Sequence, residues 1–123
     1  MKAWSSHWKA SIKPNKQRKY AYKAPLHIKR KFLAAHLSKE LRTKHKSRSV
    51  TLRIGDKVTV MRGQFAKKSG KIERLDIPES RVYVTGVEHA KKDGSKSAYP
   101  LHPSNVMITE LDTTDKRRME TKA

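Results

Sequence analysis

Hydrophobic and polar positions alternate repeatedly after residue 54, and each alternating run predicts a short strand. Val58 and Val60 fall on one side of an extended chain, because strand side chains point to opposite faces in turn. The run Lys71–Leu75 returns with Ile72 in it, so the two runs predict a hairpin around a loop from Gly63 to Gly70. Pro78-Glu79-Ser80 breaks the pattern, and Arg81–Thr85 alternates again. Asp93-Gly94 is a turn signal, since this pair tolerates positive φ, and it predicts a link from Val87–His89 to Ser97–Tyr99. Leu101–Asn105 reads as irregular, and Asn105–Leu111 as a closing strand. Short strands at this spacing predict a mostly β fold, a small barrel.

The first half lacks this rhythm. Met1–Ala24 shows no sustained helical or alternating pattern and predicts an extended arm. Pro25 suits the first turn of a helix, with Leu26, Phe32 and Leu33 as its apolar stripe. Ser38 is a natural N-cap, and Glu40 favours the first turn of a second short helix to about Lys44. Lys46–Arg53 follows as a basic linker. The expected organisation is a basic extension with short helices over 1–50, the barrel over 51–111, and a charged tail over 112–123. That tail reads as disordered or as a frayed final helix.

Charge then names a partner class. The chain has 123 residues with 30 Lys and Arg against 11 Asp and Glu, a formal net charge of +19. More than half of those cations precede Ile54, where Glu40 is the single acid. Trp4, Trp8, Tyr20, Tyr22 and Phe32 are interleaved with them. Cations for phosphates and flat side chains for exposed bases suit RNA. In the arm, Lys13, Lys16, Arg18, Lys19, Tyr20 and Lys23 are the expected contacts; His27, Lys29, Arg30 and Lys31 follow in the first predicted helix. Lys39, Arg42, Arg48 and Arg53 continue the basic series toward the barrel. In the hairpin loop, Arg62, Lys67, Lys68 and Lys71 have no acid among them, and Gly63 and Gly70 would let a backbone approach closely.

Other chemistry finds little footing. Without cysteine there is neither a disulfide framework nor a thiolate metal site, and His89 and His102 stand alone. The carboxylates are scattered, with no pair suggesting acid–base division of labour, and no phosphate-loop or dinucleotide glycine pattern occurs. The expectation is therefore no enzyme, no metal, no cofactor and no small-molecule substrate. No apolar run nears the ~20 residues of a spanning helix and no signal-peptide core follows Met1, so no membrane partner is expected. His102, Ser104 and Asn105 have two readings: a rigid turn around Pro103, or polar contacts to RNA sugar and phosphate.

Gly55-Asp56, Val58-Thr59-Val60, Arg62-Gly63 and Gly70-Lys71-Ile72 together resemble the KOW motif, a glycine-centred hairpin of nucleic-acid-associated barrels. Ala24–Phe32 with Leu37–Arg42 resembles the N-terminal extension of one ribosomal family, and Leu101–Val106 its closing segment. That family is large-subunit protein twenty-four of archaea, numbered twenty-six in eukaryotes, and the likeness spans roughly residues 16–111. The resemblance implies an SH3-like barrel on large-subunit ribosomal RNA near the exit-tunnel rim, beside neighbouring ribosomal proteins in the cytoplasm, with an early role in assembly. A KOW module of transcription elongation is the rival within the binding class, and a basic ribonuclease is disfavoured. Two positions depart from the family pattern: Ala66-Lys67 stands where Lys-Gly is usual, and Ile54 replaces a cation. Met1–Ser11 matches nothing in it.

Overall fold

In the computed structural model, which describes residues 4–118, alternation along the chain becomes alternation between core and solvent. The described strands are β1 (Ala34–Leu37), β2 (Ser49–Thr51), β3 (Lys57–Val60), β4 (Ser69–Asp76), β5 (Arg81–Val84), β6 (Glu88–Ala90), β7 (Lys96–Ala98) and β8 (Val106–Glu110). Val58 and Val60 of β3 are buried while Lys57 and Thr59 are partly exposed. β8 repeats this with Val106 and Ile108 inward, and β5 with Val82 and Val84. Six strands form one sheet in the order β2-β1-β8-β3-β4-β5, and β6-β7 make a separate antiparallel ribbon. β1 runs parallel to β8, with His36 opposite Met107, and the other pairs in the sheet are antiparallel. Leu33, Val50, Val58, Ile72, Val84 and Ile108 belong to a single core cluster, so the edge strands β2 and β5 close on the same interior.

The hairpin and the later strands lie where the alternation predicted them. β4 begins at Ser69, inside the expected loop. The turn at Asp93-Gly94 joins β6 to β7, with Gly94 at φ +90° and the Asp93 carboxylate accepting from the Ser95 N–H at 2.9 Å. The short helix capped by Ser38 is α3 (Lys39–His45), the third in chain order, and the Ser38 hydroxyl accepts from the Leu41 N–H at 3.4 Å. The helix expected at Pro25 spans Leu26–Phe32, with Pro25 one place earlier, as its cap.

Three stretches of the chain differ from expectation. The arm is not extended: Ser6–Ala10 forms a 3₁₀ turn and Pro14–Lys23 forms helix α1, followed by α2 (Leu26–Phe32). Pro14 at the first helical position presets φ, and the Lys13 carbonyl accepts from the N–H groups of Lys16 and Gln17 at 3.1 Å each. α1 is polar nearly all round, so it has no apolar stripe by which a sequence pattern could announce it. The segment between α2 and β3 carries the expected helix as α3, but it adds β1 before that helix and β2 within the expected linker. The tail also departs from a frayed end: Lys116–Arg118 is a 3₁₀ turn, and Arg118 is 7% exposed. Residues 119–123 of that tail lie outside the described residues.

Candidate nucleic-acid interface

The β3–β4 loop and the turn before β8 are built as one unit. Val60 is paired with Val106, and beyond that pair the Met61 N–H donates to the Asn105 carbonyl at 2.7 Å. Loop residues Arg62, Gly63, Lys67 and Lys68 therefore stand on the side of the turn that carries His102, Ser104 and Asn105, whereas Lys71 on β4 pairs with Lys57 at the other end of β3. Gly63 has φ +89°, and Lys67 has φ +72° with its N–H bonded to the Val60 carbonyl at 2.7 Å. Phe65 is buried beneath the loop, its ring 4.9 Å from that of Tyr99, and the Lys68 ammonium lies 5.0 Å from the Phe65 centroid. An apolar floor thus holds the loop while its cations stay exposed.

Within the turn, the His102 Nδ1 accepts from the Ser104 N–H at 3.2 Å and lies 2.8 Å from the Ser104 hydroxyl oxygen. Asn105 donates its N–H to the His102 carbonyl at 2.9 Å. These bonds make a capped, rigid turn. His102 and Ser104 remain exposed on it. Gly70 has a different task from the one its loop position suggested. A Cβ there would lie 2.4 Å from the Thr85 carbonyl oxygen and 3.0 Å from Val84 Cγ1, so its missing side chain admits the end of β5 and the residue after it.

The arm carries the second basic surface. Lys13 precedes α1, and Lys16, Arg18, Lys19, Tyr20 and Lys23 lie on it. Tyr20 is packed: its ring is 4.9 Å from Trp4 and 6.1 Å from Phe32, and its carbonyl accepts from the Trp4 indole N–H at 3.1 Å. On α2, the Lys29 ammonium is 5.7 Å from the Tyr22 ring centroid. His27, Arg30 and Lys31 line a cleft of about 720 Å³ that also touches Val50, Arg53, Ile77 and Arg118. Lys39 and Arg42 are on α3, where the Arg42 Nε is buried without a hydrogen-bond partner. Arg48 precedes β2, and its carbonyl accepts from the Leu37 N–H at 3.1 Å. Arg53 is tied to Asp115 at 2.6 Å. α2 lies between β2 and the end of β4, since Leu26 lines the cleft with Val50 and Ile77 and a second one with Leu75 and Pro78.

Among the described residues, no group of three or more His, Cys, Asp or Glu is placed to hold a metal ion, and no helix is long and apolar enough to cross a membrane. What the surface can do is hold anions. The ion pairs among the described residues are Arg53–Asp115, Lys57–Glu110 and Arg118–Asp56. Of the basic residues expected to meet RNA, only Arg53 is in one.

A family model for ribosomal proteins, covering number twenty-six of eukaryotes and its archaeal counterpart, number twenty-four, matches residues 11–121. The chain belongs to this ribosomal family. Its members are ribosomal proteins, constituents of the large subunit with a structural role in translation. The match begins at Ser11 and so leaves out Trp4 and Trp8. Sequence reasoning passed over Lys91, Lys92 and Lys96, which the β6–β7 ribbon exposes together. The signal was present: lysines flank the same Asp-Gly turn that was read for its backbone alone.

Proposed function

We propose that this ribosomal protein binds large-subunit ribosomal RNA, fixes neighbouring RNA helices near the exit-tunnel rim, and joins early in subunit assembly. The observation that carries this reading is unpaired charge. Apart from Arg53, the basic residues put forward for RNA contact lack an ion-pair partner among the described residues. Cations held this densely repel one another unless a polyanion lies against them. Phosphate contacts from α1, α2, α3 and the β3–β4 loop would position the RNA, and the rigid turn at His102–Asn105 would add polar contacts beside the loop. Neighbouring large-subunit proteins would pack around the same RNA, in a cytoplasmic ribosome.

The sheet supports an SH3-like barrel of KOW type. β2 and β5 contribute to one core, and Leu26 of α2 lines both the cleft at Val50 and another at Leu75–Pro78. α2 thereby spans the space between the sheet's first strand and the end of β4. The elongation-module alternative loses ground to the family match over residues 11–121.

Changing Arg62, Lys67, Lys68 and Lys71 together to glutamine is the direct test. Affinity for large-subunit RNA should fall and its salt dependence flatten, at roughly one unit of log–log slope per lost phosphate contact, while the unfolding midpoint stays nearly constant. Unchanged affinity with a large loss of stability would leave only a solvated loop.

A further inference from the structure

Trp4 and Trp8 precede the stretch shared with the ribosomal family, yet they form part of a defined cleft. Lys16, Lys19, Tyr20 and Lys23 recur at helical spacing and share one face of the ten-residue α1. The 3₁₀ turn Ser6–Ala10 is held to α1 by Gln17, whose amide donates to the carbonyls of Lys9 and Ser11 at 2.9 and 2.6 Å. Trp4 is anchored to Tyr20 by its indole N–H. Between these elements lies a space of about 520 Å³ walled by Trp4, Trp8, Tyr20 and the three lysines. That volume lies within the ~300–1,000 Å³ range of ligand-sized clefts.

The lining fixes the chemistry. No carboxylate lines the cleft, none occurs in the sequence before Glu40, and none of the three lysines is in an ion pair among the described residues. Trp8 is 56% exposed, with the Lys16 ammonium 5.0 Å from its ring centroid, so most of the indole stays open beside a cation. A simple anion would need the lysines but not the aromatic walls. A base within a duplex has both faces covered by stacking, whereas an unstacked base offers a face to an indole. We infer that this cleft seats one unstacked nucleobase of RNA, its ring against Trp8 and an adjacent phosphate on Lys19 and Lys23. The inference rests on the proposed RNA-binding role and adds single-stranded recognition to it.

The chain contains two tryptophans, both in this cleft, so intrinsic fluorescence reports on it alone. Full-length protein would be titrated with a short oligouridylate, with an RNA duplex of equal charge, and with inorganic polyphosphate. The oligouridylate is expected to quench tryptophan emission, and the other two to leave it nearly unchanged. Trp8→Ala should weaken oligouridylate binding roughly ten-fold, and Trp8→Phe should restore most of it. Lys23→Gln, which leaves both indoles in place, should weaken binding a few-fold and guards against misfolding of the Trp8→Ala variant. Equal quenching by polyphosphate or duplex, or affinity insensitive to both Trp8→Ala and Lys23→Gln, would overturn the inference. If oligouridylate fails to quench while large-subunit RNA still binds, the cleft is not a base seat and the broader role stands. If neither RNA binds, both fall.

Discussion

Asp56 and Arg118 form a bidentate ion pair inside the protein, with Nη1 and Nη2 of the guanidinium each 2.5 Å from a different carboxylate oxygen. The Asp56 carboxylate also accepts from the N–H groups of Arg53 and Asp112, at 3.0 and 2.9 Å. Arg118 donates further to the carbonyls of Thr51 and Asp112, at 2.9 and 3.2 Å. One residue from the tail thus ties together the end of β2, the turn before β3 and the exit from β8.

Removing one member of a buried pair leaves the other charge without compensation. Arg118→Met is therefore expected to cost about 3 kcal/mol, the low end for such pairs, because two backbone N–H groups still serve Asp56. Adding Asp56→Asn should recover part of that loss, since no buried carboxylate would remain. Urea unfolding of the single and double variants measures both quantities. A loss under about 1 kcal/mol for Arg118→Met would show that the tail is peripheral to stability.

No local signal announces that pair, and the reason bears on what a sequence can reveal. Val58 and Val60, or Asp93 and Gly94, act on their own neighbours, so alternation and turn chemistry expose them. Asp56 and Arg118 are 62 residues apart, and the tail around Arg118 has the composition of a solvated charge run. β1 escaped because Ala34 and Ala35 give no contrast between inward and outward positions. α1 escaped because its stability comes from Pro14 and from packing on Trp4, not from an apolar stripe. Among candidate contacts, residue type was legible and placement was not. Lysines in a loop are visible as such, but the bond from Met61 to Asn105 that sets the loop beside the turn depends on strand register. Gly70 carries the same lesson: its neighbours in sequence suggest a ligand, and its neighbour in space is Thr85.

Acid should release the tail before it unfolds the sheet. Hydrogen bonds from the Thr114 N–H and hydroxyl hold the Asp112 carboxyl below its ordinary value of 3.8, helped by the charges of Arg118 and Arg53. Asp115 is held below the same value first by the Arg53 guanidinium and then by the Arg117 N–H. A depressed folded-state value means that ionisation favours the docked tail. That contribution is complete above the ordinary value and disappears as pH falls through the depressed ones. The amide resonances of Thr114 and Arg117 should therefore titrate with midpoints under 3.8 while those of β3 and β8 stay put. Midpoints at or above the ordinary value would contradict the docked geometry.

Backbone conformation gives two substitutions of opposite sign in one hairpin. Gly70→Ala would place a methyl group 2.4 Å from the Thr85 carbonyl oxygen, and the rigid partner strand must move. Overpacking of this kind costs roughly 1–3 kcal/mol. Lys67 sits at φ +72°, where a side chain is strained by roughly 1–2 kcal/mol, so Lys67→Gly relieves strain at some cost in chain entropy. The net expectation is a gain of up to about 1 kcal/mol, with weaker RNA binding from the lost ammonium. Thermal unfolding of the two variants gives the signs directly, and a stabilised Gly70→Ala would refute the close approach to β5.

Where the chain is cut should decide whether RNA affinity can be separated from folding. β1 lies between β2 and β8, and Leu33, Ala35 and Leu37 belong to the core. Deleting residues 1–50 removes an interior strand and should leave an unfolded chain. Deleting residues 1–32 retains every strand of the sheet while removing α1, α2 and their cations. That shorter deletion should keep dispersed amide resonances. If the intact chain makes ~6–10 phosphate contacts, its affinity for large-subunit RNA should fall ~10³–10⁵-fold between about 50 and 200 mM salt. Without residues 1–32 the slope should be much shallower, because the contacts left belong to α3 and the β3–β4 loop. Titrations of both proteins at several salt concentrations provide the comparison. Equal slopes would mean that the arm contributes no phosphate contacts, and a folded 51–123 fragment would mean that β1 is dispensable to the sheet.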